Sequence, residues 1–355
     1  MPMDHGANLH ALLAGERPGR LPFSLNVGSF PGLTEPVLRR FREETGAEDP
    51  DEHFDCDWRV ASLTARFGGD DAAALHREVK PGTTFDEWGI GHWAGGAEET
   101  PDQMLPPLAQ AESVADVEAL PAPVVEPLAE AAAERIADFH RRGYPVFGYA
   151  GSIYEWSWWL RGMDRFLMDL VLEPAVAEAV VRKVAGHTTR LAVASADAGI
   201  DVLCFYDDAG MQTGLQISPE LWRRFVKPAW AAVLAAVRRE HPDAKTFFHS
   251  CGDVRAVVPD MVELGFDILH PLQPECMDFA EVHREFGADI ILCATLSAQK
   301  TFPFGTPEQV RAEVRRLKAI CGEERRGILC PSNMIQPETP WANIVAFAEE
   351  ARAGA

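Results

Sequence analysis

The sequence predicts an α/β protein: a (β/α)8 TIM barrel carrying a helical and irregular N-terminal elaboration. Short apolar runs alternate with helix-like segments, the pattern of βαβ units and a parallel sheet. The runs are apolar along most of their length, as strands covered on both faces are. Eight candidates are present, at 23–27, 59–66, 145–150, 201–206, 245–250, 266–272, 289–294 and 327–330. Eight parallel strands close most naturally into a barrel, whose chemistry then belongs at the C-terminal strand ends. An open doubly wound sheet is the alternative, although no GxGxxG follows the first strand.

Phe23-Ser-Leu-Asn-Val27 alternates and is closed by Gly28, giving the first strand. Thr34 to Thr45 is helix-like, with Thr34 placed to cap and Pro36 in the first turn. The apolar-rich run from Arg59, ended by Gly68-Gly69, supplies the second strand. Residues 70–123 lack a long periodic element and are broken by Pro81-Gly82, Gly89, Gly91, Gly95-Gly96, Pro101 and Pro106-Pro107. They read as an insertion or lid-like elaboration of a single barrel domain spanning 1–355, with a hairpin and a short helix at Ser113 to Leu120. The Ala-rich stretch Pro127 to Arg142 is helical by propensity.

From Pro145 the pattern is regular. Pro145 to Ala150 is a strand, followed by helices over Trp156 to Leu172 and Pro174 to Ala198. Asp201 to Tyr206 is the next, then Asp207-Asp208-Ala209-Gly210 and a helix opened by Ser218-Pro-Glu. The last four strands are Lys245 to Ser250, Phe266 to Leu272, Asp289 to Ala294 and Gly327 to Cys330.

Over 355 residues the formal net charge is −21, which argues against nucleic acid or an anionic membrane surface as partner. A small-molecule substrate is expected instead. Seven cysteines, at 56, 204, 251, 276, 293, 321 and 330, form no CxxC pair, and an odd count without a framework reads as reduced thiols. Met-Pro-Met-Asp-His-Gly has no basic region followed by an apolar core, and no apolar run reaches membrane-spanning length. The expected location is the cytoplasm.

The strand from Lys245 ends in His249-Ser-Cys251. Positions i and i+2 of a strand face the same way, so an imidazole and a thiol converge there. These are typical zinc ligands, and a zinc used for chemistry takes about three protein ligands and an open position. The alternative is a buried His and Cys closing a core strand. Cys330, ending the final strand, is the expected third ligand, reaching across the mouth, and Glu155 is another candidate. Cys276 is a weaker one, whereas Cys204 and Cys293 lie inside strand runs and read as core thiols. Asp207 and Asp208 would point to opposite sides of an extended chain; Asp208 is expected in the site, its neighbour in a local turn. Tyr154, Tyr149 and His270 could donate to a substrate oxygen, and Tyr206, Gln273 and Gln336 gather on the same face. Trp156, Trp158 and Trp159 fit a core-facing helical stripe.

Several segments, taken in order, resemble the uroporphyrinogen decarboxylase superfamily. They are Leu160-Arg-Gly162 ahead of Asp169, Tyr206-Asp-Asp-Ala-Gly210 through Ser218-Pro-Glu220, Phe248-His-Ser-Cys-Gly252, Gly265-Phe-Asp-Ile-Leu269 with Gln273, Gly305-Thr-Pro-Glu308, and Pro331-Ser-Asn-Met-Ile-Gln336 with Asn343. Asp86-Glu-Trp-Gly89 and Pro107-Leu-Ala109 are earlier echoes. The resemblance implies a TIM barrel. In its cofactor-free decarboxylases an Arg-Gln-Ala-Gly-Arg signature after the first strand holds substrate carboxylates. The corresponding Asn26-Val-Gly-Ser-Phe-Pro-Gly32 has no arginine, and Asp57 is the match to their catalytic aspartate. The zinc-dependent methyltransferase branch carries His-x-Cys and a distant downstream Cys. His249 and Cys251 match it; through Pro331-Ser-Asn333 the downstream position falls on Asn333, with Cys330 three residues earlier.

That branch implies Zn2+ and a methyl group moved between a methyl ether or thiol and a separate corrinoid protein. Lacking Asp-x-His-x-x-Gly, the chain would receive cobalamin from that partner. A metal-independent decarboxylase of a small carboxylated substrate, using Asp57 and Asp208, is the alternative. A non-catalytic binding protein on the same scaffold is the second.

Overall fold

The computed structural model describes residues 6–93 and 103–353. Gly95, Gly96 and Pro101, used above to break up 70–123, lie outside them, as do the first five residues. Seven parallel strands form one curled sheet: β1 (Arg59–Val60), β2 (Val146–Gly151), β3 (Val202–Tyr206), β4 (Lys245–His249), β5 (Ile268–His270), β6 (Ile291–Leu296) and β7 (Ile328–Pro331), in that order. The chain around Phe23 fills the gap between its edges. Phe23 bridges Leu329 in parallel, Ser24 N donates to Leu329 O at 3.1 Å, and Asp57 N donates to Phe23 O at 3.0 Å. The ring is closed, so the fold is a (β/α)8 barrel and the open-sheet alternative falls away.

The second predicted strand is much shorter than its apolar run. Ser62 Oγ accepts the Tyr149 N–H at 3.0 Å, so a side chain takes the donor that a further ladder carbonyl would need. Beyond it, Ala65–Arg66 pairs antiparallel with Val124–Val125 instead. Thr34 does not cap its helix, Glu35–Thr45. Its hydroxyl donates to Ile335 O at 2.9 Å and ties the N-terminal segment to the loop after β7.

Inward side chains of the staves fill the barrel: Trp58, Phe147, Val202, Phe247, Ile268 and Ile328, with Cys204, Cys293 and Cys330 among them. It is a packed core, with the site above it. A buried ion pair joins the two helices that follow β2, Arg161 Nε to Asp169 at 2.7 Å. Arg161 also donates to Leu108 O at 2.6 Å. A three-stranded sheet, Thr84–Phe85, Gly91–Trp93 and Gln103–Leu105, carries a turn shaped by Asp86. That carboxylate accepts from the amides of Trp88 and Ile90 at 2.9 Å each and meets His92 Nε2 at 2.9 Å.

Behind this turn His187 lies fully buried between Trp88 and Trp156, at ring distances of 5.2 and 5.5 Å. Among the described residues neither ring nitrogen has a hydrogen-bond partner, and burial lowers its pKa from 6.5 to about 4. The unfolded chain therefore binds a proton that the folded one refuses. Stability is fully present above pH 6.5 and is lost as pH falls from there toward about 4. Urea midpoints measured across that window are expected to drop for the native chain. For His187→Leu they should drop less steeply; an unchanged slope would remove His187 from the account.

Candidate functional site

β4 brings His249 to the barrel mouth beside Tyr206 of β3 and His270 of β5, its partners in register. The next turn depends on two glycines. Gly252 adopts φ +83°, and a Cβ on Gly210 would fall 2.4 Å from Cys251 O. With no side chain at either position, the loops after β3 and β4 pack backbone to backbone. Asp253 N donates to Met211 O at 2.8 Å, and Gly252 N to Gln273 Oε1 at 2.8 Å. Asp208 is thereby brought against Cys251, whose amide donates to Asp208 Oδ1 at 2.8 Å.

Three metal-capable side chains converge there. Cys251 Sγ is 3.4 Å from His249 Nε2, and His249 Nε2 is 3.6 Å from Asp208 Oδ1. All three ligand atoms lie within 4.8 Å of one another. Around a tetrahedral zinc with bonds near 2.0–2.3 Å, neighbouring ligand atoms are about 3.5 Å apart, so the set fits that ion. Glu155 Oε2 is 3.5 Å from Asp208 N, and Asn333 Nδ2 is 3.6 Å from Cys251 Sγ.

The hydrogen bonds behind His249 set its tautomer. His270 Nε2 is 3.0 Å from Pro331 O, which only accepts, so Nε2 donates. A neutral imidazole donating from Nε2 accepts at Nδ1, and His249 Nδ1 lies 2.8 Å from that atom. His249 therefore donates from Nδ1 and presents a bare Nε2 to the site. Burial lowers its pKa to about 3, keeping the ring neutral. Burial raises the acids around it: Asp208, Cys251, where the Asp208 charge adds to the effect, and Glu155, where the Asp208 and Asp207 charges add. Such a cluster lacks a positive charge, and a divalent cation would supply one.

Asp207 has a different task from Asp208. Fully buried, it accepts from Ser152 Oγ, from the amides of Ile153 and Glu155, and from Trp230 Nε1, at 2.8–3.0 Å. It holds the start of the helix Tyr154–Arg161 and so orients Glu155.

Cys330 is not part of the converging group. It points into the barrel interior one layer below, hydrogen-bonded with Cys293 and His270. Asp57 is also corrected: it precedes β1, at the opposite end of the barrel, where it pairs with Arg20 at 2.6 Å and accepts from Phe23 N at 2.7 Å. Tyr154 is buried away from the mouth, its hydroxyl 3.2 Å from Gln216 Oε1. His270 lies behind His249, Gln273 under the Cys251 turn, and Gln336 is exposed and donates to Met334 O. Cys276 is 3.5 Å from Gln212 Oε1 and stands outside the group.

A cavity of about 680 Å³ opens above these residues. Tyr149, Tyr206, Glu155, Asp208, His249 and Asn333 line it. Trp156 and Trp159 line it as well, so the tryptophan stripe is shared between core and cavity. Sequence reasoning missed Phe30, Glu87 and His92 on its wall; the echo Asp86-Glu-Trp-Gly89 was the available signal for Glu87.

The family model for uroporphyrinogen decarboxylase (URO-D) matches residues 89–354. The chain belongs to the uroporphyrinogen decarboxylase family. Within the family's reach is the methylcobamide:CoM methyltransferase MtaA of Methanosarcina barkeri, 27% identical over 198 residues, covering 55% of this chain and 50% of that protein. A uroporphyrinogen decarboxylase of Pelodictyon phaeoclathratiforme is 22% identical over 151 residues, covering 42% of this chain and 40% of that one. The matches thus span half or less of these relatives' lengths. A solved methyltransferase from Methanosarcina mazei shares the fold over 98% of both chains, with a TM-score of 0.67 and 17% identity.

In this family member His270→Phe would strand the His249 Nδ1–H in the core. The expected cost is about 1–3 kcal/mol of stability, read by urea denaturation at neutral pH. His270→Gln, which keeps an acceptor, should recover part of it; equal losses in the two variants would argue against the assigned tautomer.

Proposed function

We propose that this chain is a zinc-dependent methyltransferase, moving a methyl group between a small substrate, a methyl ether or thiol, and a separate corrinoid protein that brings the cobalamin. The convergence of Asp208, His249 and Cys251 at the mouth of a barrel of this family carries the reading. The similarity to MtaA, a methylcobamide:CoM methyltransferase by name, supports it.

His249 Nε2, Cys251 Sγ and an Asp208 carboxylate oxygen would hold the zinc, with Asp208 in the role the sequence assigned to Cys330. A zinc ion bound there supplies Lewis acidity, easing loss of a thiol proton or stabilising charge on a departing oxygen. The chain's own residues do the rest. His270 fixes the ligand nitrogen of His249. The Cys251 amide orients the Asp208 carboxylate. Asp207 keeps Glu155 at the cavity wall. Phe30, Tyr149, Trp156 and Tyr206 displace water from it.

Tyr149 and Tyr206 are assigned to substrate contact through their rings. The Tyr206 hydroxyl is engaged elsewhere, donating to Val27 O at 2.6 Å and accepting from Ser29 N at 2.8 Å. In the same proposal 1–355 is one barrel domain with 70–123 lid-like over its mouth, as Asp86, Glu87 and His92 on the cavity wall support. A reducing cytoplasm suits seven free cysteines. No helix among the described residues is long and apolar enough to cross a membrane. The decarboxylase alternative lacks a means of gripping carboxylates, because no Lys or Arg among the described residues lines the cavity.

Metal analysis of protein purified without chelator tests the proposal. About one zinc per chain is expected, retained in Cys330→Ser and lost in Cys251→Ala and Asp208→Ala. A native chain without zinc overturns the reading; zinc lost from Cys330→Ser but kept in Asp208→Ala overturns the ligand set.

A further inference from the structure

The proposed function leaves the small substrate's chemistry open, and the cavity wall narrows it. We propose that this mouth selects a small molecule bearing an ammonium group. The inference rests on the reading of the cavity as the substrate site, not on the identity of the metal.

The charge on the wall is one-sided. Glu87, Glu155, Asp208 and Asp86 line the cavity, and among the described residues no Lys or Arg does. The sequence of 94–102, Ala-Gly-Gly-Ala-Glu-Glu-Thr-Pro-Asp, contains neither of these residues. The two imidazoles on the wall do not change the balance. His92 is engaged with Asp86 at 2.9 Å, and His249 is neutral. If Asp208 and the Cys251 thiolate neutralise a divalent metal, Glu87 and Glu155 remain with no described Lys or Arg on the wall, and His92, which acts on Glu87, is shared with Asp86. Burial raises the Glu87 pKa, a cost that a bound cation relieves. An anionic substrate would instead be desolvated in a cavity with no positive side chain to receive it.

The remaining wall is aromatic. Phe30 packs on Tyr206 with ring centroids 4.4 Å apart and on Tyr149 at 5.7 Å; Tyr149 and Tyr206 are 5.8 Å apart, and Trp156 lies 5.9 Å from Tyr149. Because the Tyr206 hydroxyl is committed to the backbone of Val27 and Ser29, this residue offers its ring rather than a hydrogen bond. Ring faces beside carboxylates recognise alkylated ammonium groups through the ring quadrupole and charge together. A neutral molecule of the same shape gains the apolar contact alone.

Calorimetric titration of the zinc-loaded and the chelator-stripped chain tests this with choline, with its uncharged isostere 3,3-dimethylbutan-1-ol, and with propanesulfonate. Choline is expected to bind about tenfold or more tightly than the isostere, and propanesulfonate more weakly than either. Glu87→Gln should lower choline affinity several-fold and leave the isostere unchanged. Phe30→Leu, at a position 42% exposed and so safe for folding, should weaken choline more than the isostere. Isostere or sulfonate binding as tight as choline overturns the proposal, as does the absence of choline binding. A chain that prefers choline yet holds no zinc keeps this inference and removes the metal reading alone.

Discussion

The close approach of the loops after β3 and β4 is the contact on which the site depends. Cβ atoms at Gly210 and Gly252 would fall 2.4 and 2.5 Å from backbone atoms of the opposing loop, distances that no side chain tolerates. Because both positions are glycine, the Asp208 carboxylate reaches the Cys251 amide. A two-residue motif on one strand thus becomes a three-residue convergence. His249 ends β4 and Cys251 sits in the turn two residues on, but the third group comes from the loop after the neighbouring strand. Only the inter-loop contact sets its distance.

Adjacent aspartates illustrate how an extended chain divides labour. Asp207 points inward and is satisfied four times over by donors at 2.8–3.0 Å, which makes it a clamp on the helix that carries Glu155. Asp208 points to the mouth, where its donors are the amide and thiol of Cys251 and the bare His249 Nε2 lies 3.6 Å away. Two carboxylates one residue apart therefore differ in what they can do. One has no remaining capacity for a ligand, and the other is left under-satisfied beside a neutral imidazole and a thiol.

The barrel was legible because covered parallel strands are apolar throughout, and seven of the eight runs appear as strands of the sheet, with bounds shifted by a residue or two at most ends. The first run is held to the barrel by a single parallel bridge, Phe23 to Leu329, and ends in a local bridge between Val27 and Phe30. His249 and Cys251 were legible from side-chain alternation. Cys330 was not, because sequence position at the end of a strand does not give height within the barrel. β7 runs on to Pro331, so Cys330 faces the same packed interior as Ile328 and Cys293, while Asn333, beyond the strand, reaches the Cys251 thiol. Asp57 failed for the related reason that it precedes its strand and lies at the far end of the barrel. The acidic and aromatic wall was hidden because Phe30, Glu87 and Trp156 are far apart in sequence.

The interior core that holds Cys330 apart from Asp208, His249 and Cys251 also holds the His249 ring in place. Phe247 packs on His270 at 5.3 Å, and His270 lies 4.9 Å from His249. The orientation of His249 is therefore fixed by core packing and by the carbonyl of Pro331, three strands away from β4. Rotating its ring would break the bond to His270 and leave polar atoms unpaired inside the barrel, a cost of about 1–3 kcal/mol. That cost is met once, when the barrel folds, and is not charged again when a ligand arrives. The folding of the staves and the aim of one imidazole nitrogen are thus a single event, and a metal bound as proposed would draw its affinity from the stability of the barrel beneath it.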